Sequence, residues 1–263
     1  MYPSLKLTDK HIILDIIETW PESIIALLEK NREIVKSYID EENRVELLSR
    51  EDVEIRCFPP LNPHKWQFRK IDQQIHNILK AHSFVGFHAT RLTQTEISNI
   101  IRDGLQPLTC ELVITKIDIL IQNNHINARD AELIIHNNSA QERYREGIVC
   151  LFHCNSTLKD SGGLNDLFSY WGGEAIYRHF KDNTTPLDLK QIGKPCIVVC
   201  SLPGNEMNTI PSTSERMISY WNSLKNSEPT CFDFDHFVKH KVEVIKVISA
   251  EDDLFNLLTN YSC

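Results

Sequence analysis

Two ionisable residues interrupt apolar runs. His88 sits in Ser83-Phe84-Val85-Gly86-Phe87-His88-Ala89-Thr90, and Glu243 in Val242-Glu243-Val244-Ile245. Each either faces water on a half-covered strand or serves chemistry. Among apolar neighbours a carboxylate makes stronger polar contacts, and its pKa can rise. A third group is Tyr170-Trp171-Gly172-Gly173-Glu174. In one reading Trp171 packs a helix onto a sheet and the glycines break that helix. In the other, the glycines admit a ligand and Glu174 is a second acid, competing with Glu243. The pairs Cys150/Cys154 (with His153 between) and Cys196/Cys200 have ligand-like spacing. At least three of these four cysteines fall in apolar, strand-like runs, where cysteine is a small core residue, so no metal is expected. No cysteine–histidine pair stands out as a nucleophile and base. There is no phosphate-binding loop, dinucleotide-binding glycine fingerprint or serine elbow.

The elements that position these residues follow from periodicity. Ile12, Ile13, Ile16 and Ile17 have helical spacing, and Pro21-Glu22 opens a second helix through about Ile39. A third, short helix is expected near Glu41 to Leu48. The prolines of Phe58-Pro59-Pro60-Leu61-Asn62-Pro63 break regular structure, and Trp66 to Ala81 resumes a helix. Residues 83–90 read as a strand on which Gly86, His88 and Thr90 share a face. Thr93 and Glu96 form a capping box for a helix ending at Gly104. Residues 116–144 read as one or two amphipathic helices broken near Asn123-Asn124. Strands are expected at 147–152, 196–202 and 242–248, with a helix after Gly163 and a short final helix. Residues 203–237 are polar and rich in turn formers.

The chain has 263 residues, 28 Lys+Arg against 36 Asp+Glu, and a net charge of -8. Those values fit a globular chain with one large domain, or one domain and an appendage. No apolar run is long enough to span a bilayer, and the first residues lack a signal-peptide pattern. A cytoplasmic protein with reduced thiols and no membrane partner is expected. The acidic balance gives no bulk attraction to nucleic acid and leaves only a local basic groove.

Taken in order, His88-Ala89-Thr90, Gly104-Leu105, Gly147-Ile148, the tyrosine-bearing helix and Val242-Glu243-Val244-Ile245-Lys246-Val247 resemble the ADP-ribosyltransferase fold of the His-Tyr-Glu group. That group includes the poly(ADP-ribose) polymerases and the bacterial DNA-modifying toxins. The resemblance covers about residues 82–250. It implies an α+β fold with a split, mixed or antiparallel sheet, a catalytic domain over 82–263 and a helical N-terminal region over 1–81. It also implies NAD as co-substrate and transfer of ADP-ribose to a macromolecule by a toxin or antiviral defence effector. Glu243 would be catalytic, His88 would hold the adenosine ribose, and Tyr170 (or Tyr177) would stack on nicotinamide. Ala89, Thr90, Arg91, Trp171 and Glu174 would complete the cofactor site. The chain departs from the arginine-modifying group: Lys241 stands two residues before Glu243, and Ser212-Thr213-Ser214 lies in the late segment.

In this fold the segment before the catalytic glutamate commonly meets the acceptor. Here it carries Arg216, Tyr220, Trp221, Lys225, His236, Lys239 and His240. Aromatics interleaved with bases suit unpaired nucleobases and phosphate. RNA or single-stranded DNA is therefore the expected acceptor, ahead of a protein side chain. A non-catalytic binding module with the same fold is the alternative from another class. A neutralising antitoxin is an expected partner.

Overall fold

The computed structural model describes residues 5, 7–181, 187–207, 212–226 and 234–261. In chain order the elements are β1 (His11–Ile12), α1 (Glu22–Lys30), α2 (Arg32–Glu51), α3 (Val53–Cys57), α4 (Lys65–Leu79), β2 (Ser83–Leu92), α5 (Gln94–Asp103), α6 (Cys110–Gln122), α7 (Ala128–His136), β3 (Val149–Phe152), α8 (Ser161–Ser169), α9 (Glu174–Tyr177), β4 (Lys194–Pro203), α10 (Thr213–Lys225), β5 (Asp235–Val238), β6 (Glu243–Ser249) and α11 (Asp253–Leu258). The class is α+β, with a mixed, open sheet.

Two compact units form. One takes residues 8–84 and 203–232; the other takes 1–7, 85–202 and 233–263. The helical unit therefore differs from the expected span of 1–81, because the segment after β4 returns to it. That segment read as loop because α10 buries polar side chains (Thr213, Ser214, Asn222 and Ser223) beside Met217, Ile218 and Trp221. A buried carboxylate explains part of this. Asp72 on α4 accepts hydrogen bonds from Ser214 and, at 3.2 Å, from Ser212. The Ser212-Thr213-Ser214 run is thus a helix start, closed by a capping box with Glu215. The α4 stripe Phe68, Ile71, Ile75 and Leu79 is buried as its spacing requires. The isoleucines near the N-terminus behave differently. Ile12, Ile13 and Leu14 are all buried, so no single helical face is selected, and β1 pairs in parallel with the start of β2.

In the other unit the strand order is β5-β3-β2-β4-β6. β4 is covered on both faces, which is why its sequence is almost wholly apolar. Cys196 and Cys200 are core residues whose thiols burial pushes up to about 12. The β3–β5 ladder runs from Val149↔Val238 to Phe152↔Asp235, and β4–β6 from Cys196↔Ser249 to Ser201↔Glu243. Between β2 and β3 there is a single register pair, Phe87↔Phe152. The sheet is one continuous path, not two sheets, yet it is thin at that seam. Helices α6, α7 and α9 build a core from Val113, Ile117, Leu120, Ile134, Ile176 and Tyr177, closed by Trp171.

Candidate active site

His88 lies at the seam. Its Nδ1 is 2.9 Å from the carbonyl of Cys150 on β3. A carbonyl only accepts, so Nδ1 carries the proton and Nε2 is the ring's acceptor. Burial pushes the His88 pKa down, and the Lys116 ammonium adds to this, while the Cys150 carbonyl opposes both. The ring is therefore neutral at pH 7, suited to taking a hydrogen bond from a ligand hydroxyl.

The Tyr170–Glu174 stretch combines both of its readings. Gly172 and Gly173 have φ of 93° and 66°, and a Cβ at Gly172 would meet Ile176 at 2.8 Å. The pair reverses the chain between α8 and α9. That reversal buries Trp171 and puts Glu174 at the head of α9. Trp171 is structural: its Nε1 donates to Glu96 Oε2 at 2.9 Å. Glu96 also accepts from the Thr93 amide and hydroxyl and pairs with Lys116 Nζ at 2.9 Å. Burial alone would raise the Glu96 pKa, but Lys116, Thr93 and Trp171 together hold it below the usual carboxylate value. The expected capping box thus doubles as a buried charge network.

Glu174 is held from two sides, by Arg145 Nη1 and Arg178 Nη2, each at 2.9 Å. It lines an open cavity of about 380 Å³ with Gly162, Gly163, Asp166, Tyr177, Arg178 and Lys181. Both candidate tyrosines are here. They stack with ring centroids 5.7 Å apart and planes 26° from parallel, and Lys190 Nζ sits 5.0 Å from the Tyr170 ring. Tyr177 lines the cavity while Tyr170 backs it. The Tyr177 pKa is raised first by burial, then by Glu174 and Asp166.

The Cys150 carbonyl holds His88, whose side chain alternates to the face opposite Phe87, whereas the Cys150 thiol lies on the Phe87 face, where Asp235 on β5 and Glu174 act on it. Burial first, then these two carboxylates, push the thiol up to about 12, so it is no nucleophile. Cys150 pairs with Phe237 and Phe152 with Asp235, so these four side chains share one face of the sheet. Asp235 and Phe237 are exposed on it. Asp235 lay outside the sequence-based site because the segment around it reads as polar loop. The alternation Asp235-His236-Phe237-Val238, exposed and buried by turns, was its signal.

Glu243 does not join this group. It opens β6, exposed, and pairs with Ser201 on β4. β6 lies three strand spacings from β3, roughly 14 Å, with β2 and β4 between. The register explains why a glutamate is tolerated among valines: the outer strand begins at the solvent. Arg91 is also diverted from phosphate binding. Its Nε, Nη1 and Nη2 donate to the carbonyls of Ile192, Phe168 and Lys190 at 2.8, 3.1 and 2.5 Å. Ala89 and Thr90 are buried in β2. The expected acceptor residues on α10 belong to the helical unit. There Trp221 is buried, Tyr220 Oη donates to the Asp15 carbonyl at 3.0 Å, and Lys225 pairs with Glu29 at 2.7 Å. His236 is buried, whereas Lys239 and His240 are exposed.

Among the described residues no group of three His, Cys, Asp or Glu side chains is arranged to hold a metal. No helix among them is long and apolar enough to cross a membrane. Comparison with protein-family models, curated proteins and solved structures finds no match to the chain.

Proposed function

We propose that the chain is an NAD-dependent ADP-ribosyltransferase with an ADP-ribosyltransferase-like fold, and that it modifies nucleic acid. The setting of Glu174 is the observation that carries this reading: it stands between the Arg145 and Arg178 guanidinium groups, on the wall of a cavity that Tyr177 also lines. The cavity beside Glu174 is of a size to take the nicotinamide riboside end of NAD. Tyr177 offers an aromatic wall to the electron-poor pyridinium, and His88 Nε2 offers an acceptor to a ribose hydroxyl.

In the reaction the bond from ribose C1′ to nicotinamide nitrogen breaks, and its electron pair leaves with neutral nicotinamide. The sugar becomes oxocarbenium-like. Glu174, held between two guanidinium groups, stabilises that charge and holds the 2′-hydroxyl. The acceptor nucleophile bonds to C1′ and its proton passes to Asp235, the exposed carboxylate of the pair. The two carboxylates thus take separate tasks, as their surroundings suit them. RNA or single-stranded DNA is the acceptor we favour, and a toxin or defence role under an antitoxin follows from an activity that consumes NAD and marks nucleic acid.

The test is adenylate-labelled NAD incubated with the protein in a cell lysate, followed by nuclease or protease digestion, with nicotinamide release measured in parallel. Nuclease-sensitive label, lost in Glu174→Gln, supports the reading. Label removed by protease alone moves the acceptor to protein. Folded protein that gives neither label nor nicotinamide overturns the enzyme and leaves a binding module.

A further inference from the structure

We infer that the chain pairs with a second copy of itself through the far end of α2, through α3 and through the turn into α4, the two copies meeting antiparallel about a two-fold axis. The pairing does not depend on the transferase reading.

No residue from 36 to 61 is buried. Asn62 is buried and pins the return of the chain: its Nδ2 donates to the Tyr38 carbonyl and to Glu42 Oε1, each at 2.9 Å. The chain is therefore back beside residue 42 when α4 opens, and residues 43–61 lie beyond that level. From Glu42 to its end α2 rises about 14 Å. Helices hold together mainly by packing an apolar face, yet the apolar side chains here find no core in their own chain. Leu47, Val53, Phe58, Leu61 and Trp66 are 60–85% exposed, and Leu48 38%. These are six of the fourteen large exposed hydrophobic side chains among the described residues, gathered within twenty positions. Leu61 and Trp66 flank the turn into α4 with the spacing of a hydrophobic staple. At about 150–250 Å² for a whole aromatic side chain, and somewhat less for Leu and Val, these exposures amount to roughly 700 Å². That exceeds the ~300–600 Å² patch of a typical monomer and approaches the ~800 Å² each partner gives to a standard interface.

Charge selects the occupant. Residues 41–54 carry six acids against Arg44 and Arg50, whereas residues 56–70 carry Arg56, Lys65, Arg69 and Lys70 and no acid. The stretch is neutral as a whole within a chain of net charge -8, so it is where two copies repel least. Arg44 pairs with Glu41, Arg50 with Glu46 and Arg69 with Glu215, while Glu42 holds Asn62 and Asp52 caps α3. What remains is acidic at the far end (Glu51 and Glu54) and basic at the near end (Lys65, and Lys70 with its Nζ 5.5 Å from the Trp66 ring centroid). A two-fold axis between these ends lays the acidic end of each copy on the basic end of the other, with Phe58 and Leu61 between them. A partner of one sign would be repelled by half of the surface, and an anionic membrane by Glu51 and Glu54.

Sedimentation equilibrium on the full chain tests the pairing. At about 50 µM, well above a dissociation constant of about 1 µM, wild type should weigh twice the 30.5 kDa chain. Phe58→Glu and Trp66→Glu should each weaken association by at least about thirtyfold, and thermal melting checks that each variant is folded. Glu51→Lys combined with Glu54→Lys should weaken it about tenfold, and adding Lys65→Glu and Lys70→Glu should restore it. A monomeric wild type at this concentration overturns the proposal and leaves the patch to a different protein. A dimer that survives both glutamate variants overturns the choice of surface. A dimer that the double charge change leaves untouched, or that the fourfold exchange fails to restore, overturns the two-fold arrangement.

Discussion

Lys116→Met should destabilise the sheet-containing unit by about 2–3 kcal/mol, because it strands the Glu96 carboxylate. Glu96 is 4% exposed and Lys116 24%, and their charged atoms are 2.9 Å apart. At an effective dielectric of about 20 that separation gives roughly 6 kcal/mol of attraction. Removing the lysine also removes its own dehydration, and water reaching its exposed quarter screens the rest. The net loss therefore falls below the ~3–5 kcal/mol seen when a fully buried pair is broken. The melting temperature should drop by about 4–12 °C. Glu96→Gln keeps an oxygen for the Thr93 amide and Trp171 Nε1, so the double variant should be more stable than the sum of the single losses implies, with a coupling of about 2 kcal/mol. Urea unfolding of the four proteins measures it. Additivity within about 0.5 kcal/mol would refute the reasoning. The pH dependence has a fixed sign. The folded Glu96 pKa lies below the unfolded one, so its contribution is complete above the unfolded value, about 4.3. It disappears as pH falls through the folded value, and the gap between wild type and Glu96→Gln should close there.

Three further outcomes follow from the site and its supports. Glu174→Gln should lower NAD turnover by about a hundredfold or more, a loss of roughly 3 kcal/mol of transition-state stabilisation, whereas Glu243→Gln should leave it within about twofold; steady-state nicotinamide release compares them. Arg91→Lys should destabilise by about 2–4 kcal/mol, because an ammonium cannot reach three carbonyls at once, and denaturant titration reads the loss. His153 donates from Nδ1 to the Val85 carbonyl at 2.8 Å, and burial chiefly, with His236 adding, pushes its pKa down to about 3. A depressed histidine stabilises the fold above its unfolded value of about 6.5 and loses that contribution as pH falls toward 3, so wild type should weaken over this interval with a steeper slope than His153→Gln in urea titrations.

What was legible in the sequence was local. The Thr93–Glu96 capping box, the proline break after Phe58 and the apolar strands β2, β3 and β4 are set by near neighbours, and each stands close to where its pattern places it. The helix α10 could have been read from Ser212 and Glu215, three apart, but its buried serines and asparagine hid it among polar turn formers. The place of Glu243 was not legible because Val-Glu-Val-Ile fits both a wet outer strand and a charge held for chemistry; strand order sets it apart from the Glu174 cavity. Arg145 and Glu174 lie 29 residues apart and meet at 2.9 Å through tertiary packing. No spacing rule links them. Asp235 escaped for a related reason: its strand inverts the usual preference, with histidine inside and phenylalanine outside.

The thin junction between β2 and β3 has a mechanical consequence. The β3–β5 ladder is joined to β2 by one register pair and two imidazole–carbonyl hydrogen bonds, His88 to Cys150 and His153 to Val85. Partial opening there breaks far less than global unfolding does, so this flap should form its own low-stability unit. Its amides should take up deuterium ahead of those of β4 and β6, and a ligand that touches both β2 and β3 would act as a rivet across the tear line. Substrate would then be felt in the exchange pattern before any chemistry occurs.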